Sequence, residues 1–451
     1  MPQTGILRRL WENDMFLNTK EDDKPHRGSV FVGYDLGERY AQISYCLFED
    51  GEVETVAPVV GTKQYNIPFM LCKRRGTNQW LYGKEAVKSA GEESMCPVDD
   101  ILNFARKGEE IELDGETYDP VALLTLFIRR SLGLMSFIVP VEHIGALLFT
   151  VGRMDDRMVK ILLQVAANLQ VKTEHIYFQS HTESLYSFML YQPSELWAYQ
   201  VVVCEHDGRY LKTYRMECNK RTTPIVTLIE EASYETLVVP EEGEDETVKE
   251  DAFRLADERF LGILEKLCEG RIVSSAYLLG DGFREEWHKK SLQFLCRNRR
   301  VFQGNNLYSR GAVYSLLEKF DTSEAGKTHI FLGEDKLKAN IGMRVLRQGK
   351  ESYYALLDAG ENWYDLHKSC EILLGKEREV SFVVTPLNGK NVETRTIPLA
   401  GARETGAPFT RYALDVAMAS ADTVTVVVTD LGLGEFFPAS GQKWEEEFRI
   451  F

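Results

Sequence analysis

The sequence predicts an α/β protein of two similar lobes followed by a C-terminal β-sandwich, and three observations predict it. Strand-like and helical segments alternate from residue 29 to about residue 320, the pattern of helices packed on sheets. The alternation falls into two successive β-β-α-β-α halves, each opening with a strand, a turn and a returning strand. After Asp321, short alternating segments recur with turn residues between them and few helical patterns, which reads as a sandwich. The expected organisation is a flexible tail over 1–28, a first lobe over 29–195, a second, trimmed lobe over 196–320 and a β-sandwich over 326–451, with the boundary between Phe320 and Lys327.

The elements follow in order. Val30 to Val32 begins a strand, Asp35-Leu36-Gly37 makes a tight turn, and Ala41 to Phe48 returns with apolar and polar residues alternating. Pro120 to Leu132 is helical and Gly145 to Val151 is a continuous apolar strand. Asp155 and Asp156 then open a helix, where a carboxylate accepts from free N–H groups, and Ile161, Leu162, Val165 and Leu169 form its apolar stripe. Ile176 to Phe178 is a strand and Thr182 to Leu190 a helix. In the second half, Val201 to Cys204 is a buried strand with a return at Leu211 to Met216. Pro240 to Asp251 is an acidic solvated loop, Asp251 to Leu267 a helix, Ala276 to Leu279 a strand, and Arg284 to Cys296 a helix. In the sandwich, strands are expected over 343–346, 353–357, 379–385, 394–399, 412–418 and 423–429, with a hairpin at Asn388-Gly389.

Composition narrows the function classes. The chain of 451 residues is 44% hydrophobic, enough to bury large cores, and carries a net charge of −16. Such acidity repels phosphate backbones, and the short basic runs Lys73-Arg74-Arg75 and Arg297 to Arg300 sit among acidic neighbours, so no nucleic-acid partner is expected. The apolar stretch from Pro120 to Val141 is interrupted by Arg129 and Arg130, which argues against a membrane span. Eight scattered cysteines without a CxxC pair, and no secretory signal, lead to the expectation of reduced thiols in a cytoplasmic protein. His175, His181 and His206 with Cys204 and Glu205 match no metal-ligand spacing, and neither a P-loop nor a GxSxG elbow is present.

Several segments carry a resemblance when taken together. Val30 to Gly37 is a strand ending in Asp-x-Gly, where a carboxylate can hold Mg²⁺ through water and glycine lets backbone approach phosphate. Residues 67–90, 146–171, 176–191, 198–216, 275–287 and 305–320 follow it in order. In this order they resemble the DnaK-type heat-shock chaperones of the actin, hexokinase and chaperone ATPase superfamily, over about residues 29–320. The resemblance continues more weakly through 358–365, 375–399 and 411–434, which are similar to strands of the chaperone peptide-binding β-domain; no helical lid is expected.

The resemblance implies actin-like, ribonuclease H-like duplicated lobes that bind ATP or ADP with Mg²⁺. Asp35 would orient the hydrated Mg²⁺, and Gly37, Arg39 and Gly208 would face the phosphates. Gly280 and Gly282 would admit adenosine, and Arg284 would stack on adenine. The chain departs from the family pattern in several places. Glu38-Arg39 stand where the family has Thr-Thr, and Glu205-His206-Asp207-Gly208-Arg209-Tyr210 stand where it has a triple-glycine phosphate loop. Ser180 is nearest the place of the hinge carboxylate, with Glu183 a turn further on. Leu102 aligns with the catalytic lysine, with Arg106 and Lys107 out of register. Phosphoryl transfer depends on positioning and charge compensation, so these losses together imply hydrolysis that is weak or absent. The expected function is a divergent chaperone-like protein whose β-domain takes a protein or peptide partner. A catalytically dead pseudo-ATPase scaffold is the alternative, and a small-molecule kinase ranks third.

Overall fold

The computed structural model describes residues 29–48, 51–59, 61–140, 143–173, 175–208, 210–235, 246–284, 286–347, 349–375, 378–387, 391–402, 409–435 and 437–450. The expected tail over 1–28, Arg209, residues 240–245 of the acidic stretch and the Asn388-Gly389 hairpin lie outside them. The chain divides into two compact units between Phe331 and Leu332.

The first unit is built on two mixed sheets of the same order and sense. In the first, β1 (Val30–Leu36) pairs antiparallel with β2 (Tyr40–Leu47), which pairs with β3 (Glu54–Thr55). On its other side β1 runs parallel to β4 (Ile144–Val151), which runs parallel to β5 (Ile176–Ser180). In the second, β6 (Gln200–His206) pairs antiparallel with β7 (Tyr210–Asn219), which pairs with β8 (Ile225–Glu235). On its other side β6 runs parallel to β9 (Val273–Leu279) and β9 to β10 (Arg300–Gly304). The central strands are largely apolar and buried along their length because helices cover both faces, with Asp35 and Glu205 near their ends as polar exceptions.

Helices α1 (Pro120–Leu132) and α2 (Asp156–Asn168) belong to the first lobe. Asp155 caps α2 by accepting from the Met158 amide at 2.9 Å, and Ile161, Leu162 and Val165 are buried on it. After β5, Ser180 caps α3 (His181–Leu190). In the second lobe α4 (Glu246–Cys268) starts earlier than expected, so residues 246–250 of the acidic stretch are helical. The helix expected from Arg284 is instead a short 3-10 turn at Asp281–Phe283 followed by α5 (Lys289–Leu295). Part of the reason is a distant partner: the buried Asp257 carboxylate on α4 accepts from the amides of Lys290 and Ser291 at 2.8 and 3.0 Å. The Trp287 indole donates to the Gly282 carbonyl at 2.7 Å.

Helix α6 (Leu307–Phe320) follows β10 in sequence but lies against the first sheet as well. Ser309 bonds Ser44 at 2.8 Å, and Asn306 donates to Thr55 at 2.9 Å. α6 also crosses α3 so closely that a Cβ at Gly311 would overlap the Ser184 carbonyl. The two helices and the facing sides of both sheets share one core, with Phe31 and Leu148 from the first lobe and Val203 and Tyr277 from the second. The expected boundary moves downstream. A short helix at Glu324–Thr328 leads into β11 (His329–Phe331), which pairs parallel with β8 and so completes the second sheet.

The second unit is two four-stranded antiparallel sheets. One has the order β13 (Lys350–Leu357), β12 (Ala339–Arg347), β15 (Glu379–Pro386), β16 (Glu393–Pro398). The other has the order β14 (His367–Leu374), β17 (Thr410–Ser420), β18 (Thr423–Gly432), β19 (Lys443–Arg449). Strands β14 and β19 carry no clear alternation in sequence and were not expected. Among the described residues no helix is long and apolar enough to cross a membrane.

Candidate functional site

The ends of β1, β6 and β9 come together between the lobes. The Arg39 guanidinium, on the turn after β1, donates to the Asp207 carbonyl after β6 at 2.8 Å. Gly280, at the end of β9, lies directly on the His206 backbone; its φ of +95 and the absence of a Cβ permit that approach. Asp35, Arg39, Gly208, Gly280 and Gly282 are thus gathered around one cleft, with Gly37 at the head of the turn that carries Arg39.

Pairing register makes Asp35 and Glu205 equivalent: each is the penultimate residue of the first strand of its lobe, opposite Gln42 and Lys212. Their side chains face the crossing helices, and each meets one of them. His181 Nε2, on the first residue of α3, lies 2.7 Å from Asp35 Oδ1. The Tyr308 hydroxyl, on α6, donates to Glu205 Oε2 at 2.9 Å, and Tyr214 donates to the same oxygen at 3.4 Å. The His181 and Tyr308 rings stack with centroids 3.9 Å apart at 7°. A polar string, Asp35–His181, Tyr308–Glu205, therefore runs through the interface with near two-fold symmetry about the ring stack. Burial, reinforced by the Glu205 carboxylate, holds the Tyr308 and Tyr214 hydroxyls well above the usual phenol range, so both remain donors.

The backbone groups that would meet phosphates are already bonded. The Gly37 amide donates to the Tyr40 carbonyl at 3.0 Å, and the Gly208 amide donates to His206 Nδ1 at 2.9 Å. The close approach that Gly282 allows is filled by the His206 ring, with Cγ 2.5 Å from where a Cβ would stand. His206 itself is fully buried against Phe283 and Trp287, and burial pushes its imidazole down to about 4. Arg284 is tied to Asp281 at 2.9 Å. As arranged, then, these residues do not fit a magnesium–triphosphate: the carboxylate, both glycine amides and the arginine each hold a partner from this chain. Among the described residues no group of three or more His, Cys, Asp and Glu side chains is placed to hold a metal ion. Cys204 points to the opposite face of β6 from Glu205, into the core against α4. Leu102 is a buried core residue of the helix Ile101–Lys107, with Arg106 and Lys107 in its last turn.

Asn66, Asp281 and Tyr308 were not legible as site residues. Asp281 and Tyr308 lie in the segments 275–287 and 305–320 but carry no role there, Asn66 lies in none of the segments, and the partners are 215 residues away for Asn66 and 103 for Tyr308. The one sequence signal was the carboxylate at the same place in both strand-turn-strand openings.

A family model described as "Family of unknown function (DUF5716) C-terminal" matches residues 52–334, and a "Domain of unknown function (DUF8552)" matches residues 336–450. The seam between them falls beside the division of the structure after Phe331. The first match takes in His181, Glu205, Gly208, Asp281 and Tyr308 and leaves Asp35, Gly37 and Arg39 outside. No curated protein matches the chain significantly.

Proposed function

We propose, for a chain that belongs to the family of unknown function DUF5716, that it is a divergent chaperone-like scaffold. In this reading a two-lobed, ATPase-like module that does not turn over nucleotide is joined to a β-rich unit that takes a protein or peptide segment. One observation carries the first half: the Asp35 carboxylate is engaged by His181 at 2.7 Å, deep in the interface, with side chains 11% and 7% exposed. Phosphoryl transfer requires a carboxylate-held metal and unpaired donors aimed at the transferring group. Here His181 occupies the carboxylate, and the turns that would supply donors close on themselves at Gly37 and Gly208.

The β-rich half is supported by apolar side chains left in water on its strands: Leu346 is 76% exposed and Leu373 64% exposed. Exposed apolar side chains mark a binding surface where they form one contiguous patch, and this reading takes Leu346 and Leu373 as belonging to one.

Calorimetric titration of the full chain with ATP and Mg²⁺, beside Asp35→Ala, tests the first half. The expected result is no saturable heat and no phosphate release from either protein; Mg²⁺-dependent turnover that Asp35→Ala abolishes would overturn it. For the second half, Leu346→Ser with Leu373→Ser is expected to weaken suppression of aggregation of an unfolded client by severalfold. Unaltered suppression by a folded double variant rejects it.

A further inference from the structure

The mouth of the cleft is bridged by polar side chains from both lobes. From the first lobe, Asn66 Nδ2 donates to both Asp281 oxygens, at 3.1 and 3.2 Å, and burial with the same carboxylate nearby raises the Tyr40 phenol. From the second, Arg284 completes Asp281 at 2.9 Å, and Asn305 Nδ2 donates to Asn66 Oδ1 at 3.2 Å. Gln42 Nε2 also donates to that oxygen, at 2.5 Å. With two donors fixed on Oδ1, the Asn66 amide has one orientation, and its Nδ2 faces Asp281. Beside this cluster Arg39, whose guanidinium lies over the Tyr40 ring, reaches the Asp207 carbonyl at 2.8 Å.

Two-lobed folds commonly close around a ligand that supplies the bonds between their halves. Here the protein supplies those bonds itself. We infer that Asn66, Asp281 and Arg39 form a cross-lobe latch that keeps the cleft closed with no ligand in it. Asn66 is 9% exposed and the Asp281 side chain 19% exposed. A charge-assisted bond at that degree of burial is stronger than a neutral surface bond. The Arg39 bond depends on Asp207 staying close, so parting the lobes breaks both cross-lobe contacts together. Asp281 is the release point, because the contacts from Asn66 and Arg284 converge on it. The inference rests on reading the cleft as one that works without nucleotide.

Hydrogen–deuterium exchange of the full chain tests it, comparing wild type with Asn66→Ala, Asp281→Asn and Arg39→Gln. In each variant, amides over 37–48 and 206–216 are expected to exchange roughly tenfold faster, the factor that one lost charge-assisted bond gives. Helices α3 and α6, in the shared core, should keep their protection. Arg39→Gln removes only an exposed side chain, so it reports on the latch even where Asn66→Ala also disturbs packing. Unchanged exchange over both segments in Arg39→Gln and Asp281→Asn overturns the latch. Mg²⁺-ATP added to the variants separates the two ideas: restored protection sinks the nucleotide-free reading while leaving the latch in place.

Discussion

His206 shows how one buried side chain ties the fold of the cleft to pH. Its Nδ1 accepts from the Gly208 amide, so the neutral ring carries its proton on Nε2, which is buried without a hydrogen-bond acceptor in a ring packed perpendicular to Phe283 and Trp287. Burial, the largest influence, holds the imidazole at about 4; Asp207 opposes the shift and His288 adds to it. In the unfolded chain the same group titrates near 6.5. Above that value both states are neutral and the site contributes no pH dependence. Between about 6.5 and 4 the unfolded chain binds a proton that the folded one does not, so stability falls as pH falls, by about 3 kcal/mol across the window. Below about 4 the loss from this group is complete. Urea melts at pH 7 and pH 4.5 are expected to show a smaller acid loss in His206→Phe, which keeps the ring and removes the titration. An equal loss in both proteins assigns the acid sensitivity elsewhere.

At the scale of elements, the crossing of α3 and α6 decides how near the lobes approach. Gly311 is the point of contact, and Gly33 allows the same approach between β1 and α6 at Ser309. A methyl group at Gly311 meets a backbone carbonyl, which cannot rotate away, so Gly311→Ala is expected to destabilise by about 3 kcal/mol. Gly262 is the control: it lies inside α4 with open space where a Cβ would stand. Gly262→Ala is expected to stabilise by roughly 0.5–1 kcal/mol through the unfolded chain alone. Chemical denaturation of the two variants checks both signs.

Elements of this kind were largely legible in the sequence. Pro120–Leu132 matches the helix read there to the residue, and in it Asp119 accepts from the Val121 amide with proline at the first position. Asp155 announced its helix in the same way. What escaped was set by distant partners. The chain after Gly280 looks helical, but Trp287 turns back onto Gly282 and Asp257 on α4 fixes where α5 starts. Strands β14 and β19 lie at sheet edges, half in water, so their sequences alternate poorly. The site divides the same way: Asp35, Glu205 and the glycines stand in the segments that carry the resemblance, whereas His181 and Tyr308, which engage the two carboxylates, are brought in by helix crossing.

For the whole molecule, cooperativity follows from where the cores lie. The core between the lobes takes buried side chains from both, so neither lobe keeps its packing when the other opens. Residues 332–451 bury a separate set on their own strands, including Phe382, Val384, Leu414, Val416, Val426 and Val428. Two compact units, each burying apolar side chains of its own, predict two thermal transitions for the full chain, one for both lobes together and one for the β-rich unit. Gly311→Ala should lower the first and leave the second where it was, because its contact with Ser184 lies wholly within the first unit. Calorimetry of wild type and variant decides the matter. A single transition that shifts as a whole would mean that the β-rich unit draws its stability from the two-lobed module, while three transitions would mean that the lobes part independently. The second of those outcomes would also weaken the latch, since lobes that melt separately are not held by shared bonds at the mouth of their cleft.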